Sequence, residues 1–369
     1  MNKKLLTLAV AGALATPVAA MADATLYGKI HQSIDYFDID DGFDGWTLNR
    51  GSQGAGAPRS NRIGVKGSED LGGGLKAIYQ IEFGVNLADQ DSDSNNGDSG
   101  SVKMRNTFAG LASDWGTLLV GRHDTPLKIS TGKLDMFADT MADYNGTVGF
   151  QDVRADNAIA YISPNFSGFQ LAAATVPGSH TISGVSNPEA DSIADGWSVA
   201  GIYKNGPFYG SLAYEQFGED MLAVEDPMTP GAIIVPDNNF NKWRIGLGLL
   251  DWNGFTLSGV YEDHENVGGA DDADSDFWQI QAGYAFGNNM VKGMYGAASL
   301  DGATFEREDL EISLDLDGDK STWALGVDHN FSKRTKAYVL YTDVDVDDEA
   351  TAVLGPDWSG FSVGMIHKF

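Results

Sequence analysis

Lys242-Trp243-Arg244-Ile245-Gly246-Leu247-Gly248-Leu249 alternates without a break, with Trp243, Ile245, Leu247 and Leu249 on one side and charged or small residues on the other. Period two is the signature of a β-strand with two unlike faces. The same pattern returns in Trp197-Val199-Gly201-Tyr203, Phe208-Gly210-Leu212-Tyr214, Trp278-Ile280-Ala282-Tyr284-Phe286 and Trp323-Leu325-Val327. A soluble sandwich also alternates, but its apolar faces meet in a core. Here the apolar rows begin and end on Trp, Tyr or Phe, and the opposite face is polar, charged or glycine. Aromatic ends on an outward apolar band around a polar interior describe a transmembrane β-barrel. Its ring of hydrogen bonds leaves no open sheet edge in lipid.

The connections alternate as strictly as the strands. Short turns lie at Asp70–Gly74, Asp114–Gly116, Pro164–Gly168, Asn205–Pro207, Asp251–Gly254, Gly287–Asn289 and Ser332–Arg334. Long polar loops lie near 39–57, 88–101, 125–153, 177–195, 218–239, 266–276, 300–320 and 346–358. Seven turns and eight loops make fifteen connections, hence sixteen strands. The reading is an all-β, 16-stranded antiparallel transmembrane β-barrel with short periplasmic turns and long extracellular loops. No linker or repeat period divides the chain.

Composition narrows the class. The 369 residues carry 52 acids, 24 Lys or Arg and no cysteine, for a net charge of −28. Cysteine-ligated metal, thiolate chemistry and disulfides are excluded, and so much negative charge repels nucleic acid. Lys3 and Lys4, the apolar run Leu5 to Leu14 and Ala20-Met21-Ala22 form a signal peptide over 1–22, leaving one domain over 23–369.

The chain resembles the general bacterial porins of Gram-negative outer membranes along essentially its whole mature length. The resemblance rests on Ala24-Thr25-Leu26-Tyr27-Gly28, on Arg62-Ile63-Gly64-Val65-Lys66-Gly67-Ser68-Glu69-Asp70-Leu71-Gly72, on Lys103-Met104-Arg105 with Phe108-Ala109-Gly110-Leu111, on Gly121-Arg122 and on the ending Gly364-Met365-Ile366-His367-Lys368-Phe369. It implies a homotrimer in outer-membrane lipid and lipopolysaccharide, passive diffusion of small hydrophilic solutes, and a third loop folded inward with carboxylates at a constriction. Phe369 is similar to the family's signal to the outer-membrane assembly machinery; His367 stands where an aromatic ring is more usual.

Residues supply the candidate pore. In the 29-residue third loop, Pro126 to Phe137 reads as a helical piece, followed by Asp135, Asp139 and Asp143 at intervals of four, one face of a helix. With Ile63 and Val65 outward, Arg62 and Lys66 point inward. With Phe108 outward, Arg105 and Thr107 point inward; with Ile159 and Tyr161 outward, Arg154 shares the inward parity of Ala158. Arg62, Arg105 and Arg154 also occupy places similar to the family's basic cluster. Arg122 shares the outward parity of Leu118 and Val120 and reads as a trimer-interface or girdle residue. The acidic balance suggests weak cation selectivity.

Other signals stay unpromoted. Gly64, Gly67 and Gly72 to Gly74 lack the Lys-Ser/Thr of a phosphate loop. Asp315 to Asp319 lacks the glycine position and closing Glu of a calcium loop. No His-Glu-x-x-His pair or oriented nucleophile is present, so no metal, cofactor or enzyme activity is expected. A solute-specific porin, an adhesin-like structural barrel and a barrel enzyme remain alternatives. An inward third loop separates the pore from the structural barrel.

Overall fold

The computed structural model describes residues 24–49, 59–87, 102–178, 187–226, 233–301, 305–307, 312–314, 317–347 and 351–369. The leader at 1–22, the second loop at 88–101 and residues 315–316 lie outside the described residues.

Sixteen antiparallel strands close into a ring. They are β1 (Thr25–Ile39), β2 (Arg62–Gly72), β3 (Leu75–Val85), β4 (Val102–Met104 and Thr107–Ser113), β5 (Gly116–Asp124) and β6 (Arg154–Ile162). The ring continues with β7 (Phe169–Val176), β8 (Gly196–Asn205), β9 (Phe208–Phe217), β10 (Phe240–Trp252) and β11 (Phe255–Glu265). It ends with β12 (Asp274–Phe286), β13 (Asn289–Asp301), β14 (Gly318–Asn330), β15 (Thr335–Val346) and β16 (Trp358–Lys368). Closure falls on β1, whose Lys29 to Ile39 pair with Lys368 to Trp358 of β16. On its other side Thr25 to Lys29 pair with Lys66 to Arg62 of β2. The chain end joins the ladder: Gly28 N donates to Phe369 O at 3.0 Å and Phe369 N donates to Gly28 O at 3.1 Å. Gly28 is required there, because the Phe369 ring occupies the space that a Cβ would fill.

Above Lys29 the wall is completed by the first loop, whose short strand Asp44–Leu48 pairs with the outer half of β1. At the junction, Asn61 Oδ1 accepts from His31 N and Asn49 Oδ1 from Ser33 N, each at 2.6 Å. These side chains satisfy backbone donors that the ladder leaves open.

Burial decides which face is outside. In β10 Lys242 and Arg244 are 0% exposed, whereas Ile245 is 37% and Leu247 63% exposed. Along one rim a belt runs from β10 to β15 through Trp243–Tyr261, Trp278–Tyr295 and Trp323–Tyr341, with ring centroids 5.1, 5.6 and 5.3 Å apart. Tyr261 pairs in register with Trp278, and Tyr295 with Trp323, so the three pairs form one line. At the short-turn rim Phe208, Trp252, Phe255, Phe286 and Phe331 are exposed. Trp243 and Trp252 stand nine residues apart on β10. That is about 30 Å of strand, or about 23 Å of height at a tilt of about 40°. The interval matches an apolar band of about 25 Å between aromatic girdles.

Candidate functional site: the third loop and the facing wall

The third loop leaves β5 at Thr125, returns at Val153, and lies against the inner wall. Helix α1 (Pro126–Thr131) opens it, with Pro126 in the first turn and the Thr125 side chain accepting from Lys128 N as N-cap. The helix stops at Thr131, six residues short of the expected Phe137. Contacts with the wall override helical propensity. Leu134 O accepts from Ser258 Oγ at 2.7 Å, and Met136 N donates to Gln281 Oε1 at 2.6 Å. The loop then runs past β14, β15 and β16, where Phe137 and Met141 pack with Leu340, Tyr338 and Trp358. Helix α2 (Tyr144–Thr147) turns the chain back, and Tyr144, Val148 and Phe150 pack with Tyr209, Val260 and Phe277.

Glycines on the lumen side of the wall make this close approach available. A Cβ on Gly246 would meet Leu134 Cδ1 at 2.6 Å and Thr131 Cγ2 at 2.8 Å; one on Gly248 would meet Leu134 Cδ2 at 2.8 Å. A buried ion network fastens the return. Arg244 pairs with Glu262 of β11, reaches Asp152 Oδ1 at 2.7 Å and donates to Thr131 Oγ1 at 2.9 Å. The last two partners belong to the loop, so one wall arginine clamps both of its ends.

The three loop acids do not share a helical face. Asp135 Oδ1 accepts from Phe137 N and Gln281 Nε2, both at 2.8 Å. Asp143 caps α2 through Asn145 N at 2.9 Å and accepts from Asp139 N at 2.6 Å. Asp139, in the left-handed region at φ 64°, is the one that pairs with a wall cation, Lys29. Their electrostatics differ accordingly. Burial pushes Asp135 up to about 6. Burial, with the nearby Asp135 charge, pushes Asp143 up to about 8. Burial also raises Asp139, but the Lys29 ammonium outweighs it and holds this carboxyl below its usual range.

The basic candidates separate as well. Arg62 faces inward beside its register partner Lys29, and forms no ion pair among the described residues. Lys66 is exposed near the end of β1, opposite Thr25, with its ammonium 5.1 Å from the centre of the Tyr27 ring. Arg105 reaches inward to Glu82 Oε1 at 2.8 Å, and Tyr27 Oη donates to the same carboxylate at 2.9 Å.

Parity gave the wrong side for Phe108 and Thr107. Phe83 pairs with Met104 but Gln80 with Phe108, so Arg105-Asn106 forms a bulge that holds one extra residue. Phe108 therefore packs inward with Leu119, and Thr107 shares the outer side of Leu111. A second bulge, with Asn157 at φ 55°, breaks the parity from Ala158 to Arg154. Arg154 is held at the root of the loop by Asp124 Oδ1 at 2.9 Å and Asn106 Oδ1 at 2.5 Å. Arg122 does lie on the outer parity, paired with Asp156 of the same chain.

Lys29 and Arg244 are the residues that the sequence reading missed. In β1, Lys29, His31, Ser33 and Asp35 are buried while Ile30 and Ile34 are exposed. The same period-two rule applied to β1 would have turned Lys29 inward. Arg244 had the right parity but no signal tying it to a loop about a hundred residues earlier in the chain.

A family model described as Gram-negative porin matches residues 7–349. The chain is 30% identical over 346 residues to the major outer membrane protein P.IB of Neisseria meningitidis serogroup B, covering 92% of each chain. It is 28% identical over 397 residues to outer membrane porin protein 32 of Delftia acidovorans, covering 100% of each. Among solved structures, an anion-selective porin from Comamonas acidovorans superposes with a TM-score of 0.67 at 24% identity, over 95% of this chain and 100% of that one.

Proposed function

The chain belongs to the Gram-negative porin family, a channel-forming protein of the outer membrane and not an enzyme, and we propose that its water-filled pore passes small hydrophilic solutes with a preference for anions. One observation carries the reading. The third loop hugs β8 to β16 and β1, so the open lumen lies between it and the wall of β2 to β4. On the loop side the carboxylates are neutralised or occupied: Asp139 by Lys29, Asp135 and Asp143 by hydrogen bonds in surroundings that favour protonation. On the wall side Arg62 and Lys66 remain without a carboxylate partner among the described residues, and Arg105 is balanced by Glu82. Fixed charge in a narrow pore filters ions by sign. This reading replaces the cation preference suggested by net charge, and the anion-selective porin among the structural neighbours supports it.

Reversal potentials across a KCl gradient in planar bilayers test it. The expected potential lies toward chloride, and one toward potassium refutes the anion preference while leaving the pore intact. Arg62→Glu moves the potential toward potassium.

The same proposal includes export through removal of residues 1–22, leaving the single domain 23–369, and assembly by way of Phe369. Three copies associate through the outer face that carries Arg122 and Asp156. A charged pair on that face is costly in lipid and better placed against protein. In this reading the pore selects by size and charge, and is not dedicated to one solute.

A further inference from the structure

On the short-turn side of the third loop lies a concave chamber of about 310 Å³, lined by that loop, β1, β2, the β14–β15 turn, β15 and β16. Its lining holds Lys29, Arg62, Lys333, Arg334, Lys336 and Lys368, against Asp135 and Asp139. Two of the cations are already matched: Lys29 by Asp139, and Lys336 by Asp328 Oδ2 at 2.8 Å. Arg62, Lys333, Arg334 and Lys368 form no ion pair among the described residues.

The arrangement is ordered. Lys368, Lys29 and Arg62 are register partners on β16, β1 and β2, so three cations stand side by side on adjacent strands. The turn that carries Lys333 and Arg334 is fixed to the same place, because Lys368 N donates to Arg334 O at 2.8 Å. Like charges directly opposite in a sheet are destabilising. Six cations gathered around one concave space therefore repel one another unless something negative occupies it, and Asp139 and Asp328 neutralise only two. The strands lie about 4.8 Å apart, so the row extends about 10 Å, within reach of the oxygens of one small anion. Arg62 adds a planar fork suited to two oxygens at once.

We propose that this chamber is a binding subsite for small solutes bearing a doubly charged oxyanion, such as a phosphate ester or a dicarboxylate. Such solutes then cross by occupying a site, and their flux saturates. The proposal rests on the anion preference argued above and adds to it a place and a valence.

The test uses the full-length channel in planar bilayers carrying a chloride current, with inorganic phosphate and then succinate added to either side. Phosphate is expected to reduce the current saturably, and at lower concentration from the short-turn side. Block by succinate as well assigns the whole class, whereas block by phosphate alone assigns phosphate esters; both support the site. The Lys333→Gln/Arg334→Gln double variant is expected to raise the half-blocking concentration at least about tenfold, from the loss of charge-assisted hydrogen bonds. A channel that still prefers chloride but shows no saturable block by either anion overturns the subsite alone. So does a double variant blocked at the same concentration as the parent. A reversal potential favouring potassium removes the reading beneath it and the subsite with it.

Discussion

Arg244 is the residue whose loss is most informative, because it ties the third loop to the barrel from a fully buried position. Its guanidinium serves Glu262 on the wall, and Thr131 and Asp152 on the loop. Replacement by Met keeps most of the volume and removes the charge. Glu262 is then left with His264, whose Nε2 lies 2.8 Å from Oε1, and with Gln151 N, which donates to Oε1 at 3.1 Å, while Asp152 keeps Tyr144 and Asn145 at 3.2 and 3.1 Å. Removing one partner of a buried ion pair costs about 3–5 kcal/mol, chiefly from the charge left behind. If the lower figure falls on the docked loop, the undocked population rises by about two decades, at about 1.4 kcal/mol per tenfold. Single-channel recordings of Arg244→Met should show frequent current steps absent from the parent. Trypsin should cut the folded protein at Lys128 or Lys133. Adding Glu262→Gln removes the stranded carboxylate and should restore part of the quiet behaviour. An Arg244→Met channel that folds, conducts as quietly as the parent and keeps its loop intact would refute the clamp.

Three further outcomes follow from other contacts. Asp135 and Asp143 titrate at about 6 and about 8 with the loop docked, and at ordinary carboxylate values once it is released into water. The docked loop thus holds more protons, its stabilisation is complete below about pH 4, and it is lost as pH rises through 6 and then 8. Open-channel noise should grow from pH 5 to pH 9 and flatten in Asp143→Asn; noise that grows toward acid contradicts the sign. Phe369→Ala uncovers Gly28 at the barrel seam and should lower the yield of assembled protein in the outer membrane several-fold, measured by heat-modifiable gel mobility; an unchanged yield removes the seam and assembly argument. Arg122→Glu sets two carboxylates together with Asp156 on the outer wall and should lower the temperature at which trimers dissociate in detergent; unaltered dissociation argues against that face as the interface.

The barrel was legible because lipid outside and water inside impose opposite demands on successive residues. Leu247 and Lys242 obey that rule without knowledge of any partner, and the short turns follow from chain reversal at Gly, Asn, Asp or Pro. The constriction was less legible for two physical reasons. A bulge adds a residue that alternation cannot count, so Arg105 points inward although the argument from Phe108 was wrong, and Arg154 loses its parity at Asn157. Asn157 could have raised the question, since Asn tolerates a positive φ. The third loop fails differently. Its path is set by Leu134 over Gly246 and Gly248 and by Arg244, contacts made with strands about a hundred residues later in the chain. Acids at intervals of four share a face only on a helix, and that helix ended at Thr131.

On the proposed anion preference, net charge is a poor guide to selectivity because it weights every acid equally. Charges at a rim facing bulk water are screened over about 8 Å at physiological salt, much less than the height of the barrel. Charges between a packed loop and the wall act across a narrow, poorly screened gap, where each counts for several at the rim. The surplus of acids lies heavily at the long-loop end, in connections and the adjoining strand ends, as at Asp271, Asp272 and Asp274 or Asp343, Asp345 and Asp347. Around the third loop, by contrast, Asp139, Glu82, Glu262 and Asp328 are each matched to a named cation, while Arg62 and Lys368 form no ion pair among the described residues. A chain of charge −28 can therefore present a basic constriction, since selectivity follows from which charges remain unpaired at the narrowest part of the path.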